Sequence, residues 1–213
     1  MASIQEVAEL VEKGKVKLIE AAVQEALDAG VDAGALLNDG MIAAMGVVGA
    51  KFQANEIFVP EMLVAAKTMK KGVEVLKPHL AGDSVGQLGT YILGTVAGDL
   101  HDIGKNLVGL MIESAGFRVV DLGVDVPAEK FVEAAKSEQN VKIVGASALL
   151  TTTMDSLKNT VQTLIAAGIK ELGIKIMVGG APITQAFADE IGADAYTPDA
   201  GAAAVKAKEL ATA

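Results

Sequence analysis

Apolar side chains keep two different rhythms along this chain. Over the first ~85 residues they recur every three to four positions, the spacing of a helix with one buried face. "KVKLIEAAVQEALDAG" places Val16, Ile19, Val23 and Leu27 on one stripe, with Gly30 as a stop and Asp32 as the N-cap of the next helix. That helix runs through "AGALLNDGMIAAMGVVGAKFQAN". A further one, "VPEMLVAAKTMKKGVEVL", carries Pro60 in its first turn, where a missing N–H costs little. With the short N-terminal segment these make about four helices, enough for a small bundle.

From Tyr91 the pattern changes. Short apolar runs, "YILGTVA", "FRVVDLG", "KIVGASALL", "IKIMVGG" and "ADAYTP", alternate with helical stretches that begin near Lys105, Pro127, Met154, Ile183 and Ala200. Such alternation predicts crossover units and a parallel sheet with helices on both faces. The expected fold class is therefore α/β: a four-helix bundle over 1–88, then a flavodoxin-like, Rossmann-like domain with a five-stranded parallel sheet over 89–213. "KPHLAGDSVGQLG", Lys77 to Gly89, reads as the linker.

Composition narrows the function. The chain is 51% hydrophobic but only 3% aromatic, without Trp, so its cores must come from Ala, Val, Ile, Leu and the eight Met. A formal net charge of −9 disfavours nucleic acid, which selects a basic face, and disfavours anionic membranes. With no cysteine, disulfides, Fe–S clusters and thiolate zinc sites are excluded. "MASIQEVAELVEKGK" is acidic and amphipathic, unlike a signal peptide, and no uninterrupted apolar run has the length of a membrane span. A cytoplasmic protein is expected.

In an open parallel sheet, ligands bind beyond the carboxyl ends of the strands. Three features converge there: the loop "GDLHDIGKN" after the first strand, "SALLTTT" after the third, and "VGGAP" after the fourth. Each has an ordinary reading. A lone histidine is most often a surface residue, Thr153 would cap the helix that follows it, and a Gly-Gly pair makes a tight turn. Jointly they favour a site. With two histidines and no cysteine, a zinc cage does not fit. A Ser-His-Asp hydrolase lacks its nucleophile elbow, and a phosphate loop lacks its motif. A metal-ligating histidine fits better, because a ligating imidazole needs an acceptor for its other ring N–H. Asp99 stands two residues from His101, and one protein ligand suffices if a macrocycle brings the others.

These residues resemble a known family. Asp99-Leu100-His101-Asp102-Ile103-Gly104 is similar to the Asp-x-His-x-x-Gly signature of base-off, His-on cobalamin-binding domains. Ser147-Ala148-Leu149 resembles that family's Ser-x-Leu motif, and Gly179-Gly180 its Gly-Gly motif, all in order. The helical half resembles the cap before this domain in methionine synthase. It resembles still more the small corrinoid proteins of methanol, methylamine and aryl-ether methyltransferase systems.

The resemblance implies a role for each residue. His101 is the lower axial cobalt ligand, and Asp99 binds its other ring nitrogen. Thr153, where the family has serine, completes a relay. Ser147 and Thr151 touch the displaced nucleotide tail, with Leu149 packed on it. Asp102, Ile103 and Gly104 lie against the cofactor, and Gly179 and Gly180 leave room for the tail. It also implies a methyl carrier, not catalytic alone. Its partners are a substrate-specific methyltransferase, a second methyltransferase that uses tetrahydrofolate or coenzyme M, and a reductive activator protein. Met45, Phe52, Phe58 and Met62 are candidates for covering the methyl face, though residue by residue ordinary bundle core is the better reading. The rival implications are a cobalamin-binding regulator, for which no DNA-binding module is visible, and the small subunit of a cobalamin-dependent mutase, which usually lacks the helical cap.

Overall fold

The computed structural model describes residues 3–79 and 88–212. Most of the expected linker, residues 80–87, lies outside the described residues. The described residues fall into two compact units, the first made of the residues before that segment together with Ser114–Gly116 and the second of the rest.

The first unit is helical. Helix α1, Ile4–Glu12, is capped by Ser3, whose hydroxyl accepts from the Glu6 N–H, and buries Val7, Ala8 and Val11. Helix α2, Ile19–Asp28, buries Ile19, Val23 and Ala26. Leu27 is only half-buried and Val16 lies in the turn before the helix, so the buried stripe is offset from the predicted one. Gly30, at φ +83°, ends this segment. Asp32 then caps α3, Ala33–Ala35, accepting from the Ala35 N–H at 2.8 Å. The chain continues without a break through a π-helical stretch, Leu36–Ile42, into α4, Ala43–Gln53. The π-helical stretch buries Leu36, Leu37, Gly40 and Met41.

Helix α5, Val59–Leu76, buries Met62, Ala65, Ala66, Thr68, Met69, Gly72, Val73 and Leu76. At Gly72 an added Cβ would lie 2.6 Å from the Met41 Cε, so glycine lets α5 approach the π-helical stretch. Met45 and Met62 are bundle core, whereas Phe52 is half-buried and Phe58 is exposed. Among the described residues, one helical stretch, Ala33–Phe52, is long and apolar enough to cross a membrane, and half of its apolar window is buried within the protein.

The second unit is the expected parallel sheet. Its strands are β1 (Thr90–Thr95), β2 (Arg118–Asp121), β3 (Val141–Ser147), β4 (Lys175–Gly179) and β5 (Ala195–Tyr196), in the order β2-β1-β3-β4-β5. This is the flavodoxin-like order. The crossover helices are α6 (Ile103–Ser114), α7 (Ala128–Ser137), α8 (Met154–Ala166) and α9 (Gln185–Ile191), with α10 (Ala200–Thr212) last. All six residues of β1 are buried, as a central parallel strand covered on both faces requires. Successive side chains point to opposite faces. Ile92 packs in one cluster with Phe131 of α7 and Val161 and Leu164 of α8. Leu93 turns the other way, against Gly109 of α6, where a Cβ would come within 3.0 Å of it.

Tyr91 is buried edge-on to Phe117, with ring centroids 6.2 Å apart. Burial pushes its phenol pKa up, and its hydroxyl lies 3.9 Å from the Met177 sulfur. Gly145 on β3 makes the space: a Cβ there would collide with the Tyr91 ring and hydroxyl. Gly145→Ala is therefore expected to destabilise the protein by about 1–3 kcal/mol through overpacking. Gly46, in α4 with nothing within 4 Å of an added Cβ, should behave oppositely, with Gly46→Ala gaining up to about 1 kcal/mol of helix propensity. Urea denaturation of both variants checks the pair.

Candidate functional site

The site grows from the carboxyl end of β1. Past Thr95 the chain makes one isolated bridge, Val96 to Val126, and turns at Gly98, whose φ of +81° lies in the left-handed region that glycine enters without strain. The turn is clasped from the segment after β2. Asp125 accepts from the Gly98 N–H through its Oδ1 at 2.7 Å, and its own N–H donates to the Asp99 carbonyl at 2.9 Å. Asp125 has φ +54°, a conformation that Asp tolerates better than most residues.

Asp99 is thereby held inward, with no exposure to solvent. Its carboxylate accepts four hydrogen bonds. Oδ1 takes the His101 N–H at 3.0 Å and the His101 Nδ1 at 2.7 Å. Oδ2 takes the Leu149 N–H at 2.7 Å and the Thr153 hydroxyl at 2.8 Å. Burial pushes the Asp99 pKa up, but the bonds from Leu149, His101 and Thr153 outweigh it and hold the carboxyl well below the usual range. An ionised carboxylate only accepts, so the proton between the two side chains sits on Nδ1. In the neutral ring, Nε2 then carries the free lone pair. The His101 side chain is 48% exposed, so this nitrogen is held by the protein yet open to a ligand.

Thr153 opens α8, but its hydroxyl makes no capping bond to that helix. It is directed to Asp99, with the Leu150 carbonyl at 2.9 Å as a second acceptor for the same proton. The ordinary reading of this residue as a helix cap is therefore set aside. Ser147, the last residue of β3, is half-buried and hydrogen-bonds Thr95 at 3.1 Å. Thr95 was not apparent in the sequence, where it reads as one more β-former in an apolar strand. Only its pairing with Ser147 gives it meaning.

The remaining predicted residues are placed as follows. Leu149 contributes its backbone N–H to Asp99 and exposes its side chain. Thr151 is exposed in a 3-10 turn, and Asp102 is exposed and accepts from the Asn106 amide at 3.1 Å. Leu100, Ile103, Leu149 and Leu150 are exposed apolar side chains on the two segments that carry His101 and Thr153. An added Cβ on Gly104 meets nothing within 4 Å. Gly179 is nearly as open, its Cβ reaching only the Thr197 carbonyl oxygen at 3.4 Å. Gly180 is different: it sits at φ +131°, and a Cβ would collide with the Ala148 carbonyl oxygen. Protein packing alone demands that second glycine.

Among the described residues no group of three His, Cys, Asp or Glu could hold a bare metal ion. One oriented imidazole with a carboxylate behind it, beside exposed apolar side chains, suits a metal that arrives with its own equatorial ligands. A corrin fits that description.

Comparison with known proteins agrees. A family model described as a B12 binding domain matches residues 89–207, and a second of the same description matches residues 3–77. The chain is 43% identical over 208 residues to dimethylamine corrinoid protein 1 of Methanosarcina mazei, covering 97% of this chain and 95% of that one. It is 47% identical over 175 residues to trimethylamine corrinoid protein 1 of Methanosarcina acetivorans, covering 81% and 80%. Among solved structures, the methanol:cobalamin methyltransferase complex MtaBC of Methanosarcina barkeri superposes with a TM-score of 0.86 at 32% identity, covering 98% of this chain and 79% of that one. A cobalamin-binding protein of Desulfitobacterium hafniense gives 0.81 at 31%, covering 99% of each. The chain belongs to the B12-binding corrinoid proteins of methyltransferase systems, and its cofactor is a cobalamin.

Asp99 also sets a pH dependence for the apoprotein. Its folded pKa is depressed, so its contribution is complete above the unfolded value of about 3.9 and is lost as pH falls through and below it. The stability gap between wild type and Asp99→Asn is expected to be full at pH 7 and to shrink steadily below about pH 4. Urea midpoints measured from pH 7 to pH 3 would show it, and a gap independent of pH would contradict it.

Proposed function

We propose that the chain is the methyl carrier of a multi-component methyltransferase system, holding its corrinoid base-off with His101 Nε2 as the lower axial ligand. The observation that carries this is the single imidazole tied through Nδ1 to a buried carboxylate, with its other nitrogen open. When bound, the corrinoid supplies a cobalt centre that can accept and release a methyl group; that chemistry belongs to the cofactor. The protein does the rest. Asp99 orients the ring. Thr153 steadies the carboxylate with its hydroxyl. Leu100, Ile103, Leu149 and Leu150 reduce water beneath a bound ring. Ser147 and Thr151 contact the displaced nucleotide, and Gly179 leaves it room.

No residue in the described site offers a methyl donor its own chemistry, so the chain acts between partners. The relatives named for dimethylamine and trimethylamine support a methylamine-class donor on a substrate-specific methyltransferase. A second methyltransferase passes the group to tetrahydrofolate or coenzyme M, and a reductive activator restores the cobalt. Both family models together account for the helical and sheet units, which supports a carrier over a mutase small subunit.

Apoprotein mixed with hydroxocobalamin and desalted is expected to retain one cobalamin per chain. In the cobalt(II) form, electron paramagnetic resonance should show superhyperfine splitting from one histidine nitrogen, confirmed by isotopic labelling. His101→Gly should abolish that splitting while the corrinoid stays bound base-off. Splitting unchanged in His101→Gly would show that another group is the ligand.

A further inference from the structure

We propose that Asp125 is a positioning residue for His101: from the segment after β2 it clasps the Gly98–Asp99 turn and so sets how firmly the imidazole is presented to the cobalt. The inference rests on the corrinoid reading above and adds a residue to it. Asp99 is the intermediary. Of the four bonds to its carboxylate, two come from His101 itself and move with the loop. Asp99 is located against the rest of the sheet unit from two sides. Leu149 and Thr153 hold its carboxylate from beyond β3. The Asp125 N–H holds its backbone carbonyl from beyond β2, at 2.9 Å.

Asp125 grips both ends of one dipeptide. Besides the bond to the Asp99 carbonyl, its Oδ1 accepts the Gly98 N–H at 2.7 Å, a bond strengthened by the carboxylate charge. Gly98, at φ +81°, has no side chain to pack, and glycine has the most permissive backbone. The shape of the turn therefore depends on hydrogen bonds. One is internal, from the Asp99 N–H to the Val96 carbonyl at 3.1 Å. The two that tie the turn to β2 both belong to Asp125.

A clasp positions only if it is itself fixed. Asp121, which ends β2, accepts the Gly123 N–H at 2.9 Å through Oδ1 and the Lys105 ammonium through Oδ2. The Lys105 side chain is 2% exposed and stands in the first turn of α6, where the helix dipole disfavours a cation. A buried ammonium is costly unless paired, and this pairing holds the start of the segment that carries Asp125. Further along, the Thr95 N–H donates to the Gly123 carbonyl and the Val126 N–H to the Thr95 carbonyl, each at 3.0 Å. Asp125 thus projects, at φ +54°, from a segment pinned on either side of it. Its side chain is exposed, so water competes for Oδ1, and the effect is that of one partly screened bond.

The test is the cobalt(II/I) potential of the full-length protein loaded with cobalamin. Reduction to cobalt(I) expels an axial base, so a firmer lower ligand holds the potential lower; axial ligation sets such potentials. Asp125→Gly takes the left-handed φ without strain and removes the clasping oxygen. It should weaken ligation about 10-fold, the scale of one hydrogen bond to a charged group. A 10-fold loss raises a one-electron potential by about 59 mV. Asp125→Ala removes the same oxygen and serves if Asp125→Gly does not fold. Asp125→Asn removes the charge but keeps an acceptor and tolerates the same φ, and should shift the potential by no more than roughly half as much. In a His101→Gly background the Asp125→Gly shift should also fall to roughly half or less, because no imidazole is left to position. Equal potentials in wild type and Asp125→Gly, an Asp125→Asn shift as large as that of Asp125→Gly, or a shift undiminished in the His101→Gly background would overturn the assignment. Absence of histidine nitrogen splitting in wild-type cobalt(II) would remove the ligation reading itself; splitting present with an unmoved potential in Asp125→Gly would remove the positioning alone.

Discussion

The sheet unit is organised around one buried anion. A carboxylate removed from water loses several kcal/mol of solvation, and it stays ionised only if fixed donors replace the water. Asp99 has four, and they come from two separate segments: two from His101 in its own loop, and two from Leu149 and Thr153 beyond β3. The two from Leu149 and Thr153 cannot be supplied until β1 and β3 are paired in register and the turn after β3 is closed. The carboxylate therefore does two things at once. It ties the ends of the two strands together, and it makes Nδ1 the protonated nitrogen of His101. An apolar residue at this position could tie the strands by packing but could not choose the tautomer.

The fold was largely legible in the sequence because it follows from periodicity. The shift from helical spacing to short apolar runs at Tyr91, and the alternation after it, point to a parallel sheet without any knowledge of contacts. The π-helical stretch Leu36–Ile42 was not legible. Its inward pairs, Leu36 with Leu37 and Gly40 with Met41, read in sequence as a hydrophobic helix with a wide apolar face. Only the backbone shows that this segment is π-helical.

The site was legible where chemistry is carried by side-chain identity, and obscure where it is carried by geometry. Asp99, His101 and Thr153 declare themselves as an acid, a ligand and a hydroxyl, and the fold brings them into one hydrogen-bonded set. Three contributors have no such signal. The Leu149 N–H is a backbone group under an apolar name. Asp125 matters because of a left-handed φ and a clasp on Gly98 and Asp99. Thr95 matters because of the residue opposite it. Gly180 shows the converse. The resemblance assigns this glycine to the ligand, and the Ala148 carbonyl and a positive φ require glycine there in any case, whereas Gly179 meets no comparable demand from the protein.

The hydrogen bonds of the site and its exposed apolar side chains belong to separate sets of groups. The groups that fix the tautomer of His101 through Asp99 lie on the two segments that follow β1 and β3 at the carboxyl edge of the sheet. The exposed apolar side chains Leu100, Ile103, Leu149 and Leu150 take no part in those hydrogen bonds; only the Leu149 and Leu150 backbones do. Substituting one of these side chains with another of similar volume changes the exposed surface but leaves the donors to Asp99 in place. Substituting Asp99 removes the acceptor and substituting Thr153 with an apolar residue removes one donor, however well the replacement packs. The hold on His101 is thus set by a few hydrogen-bonding groups with little freedom to vary, and the surface around it by side chains with a great deal.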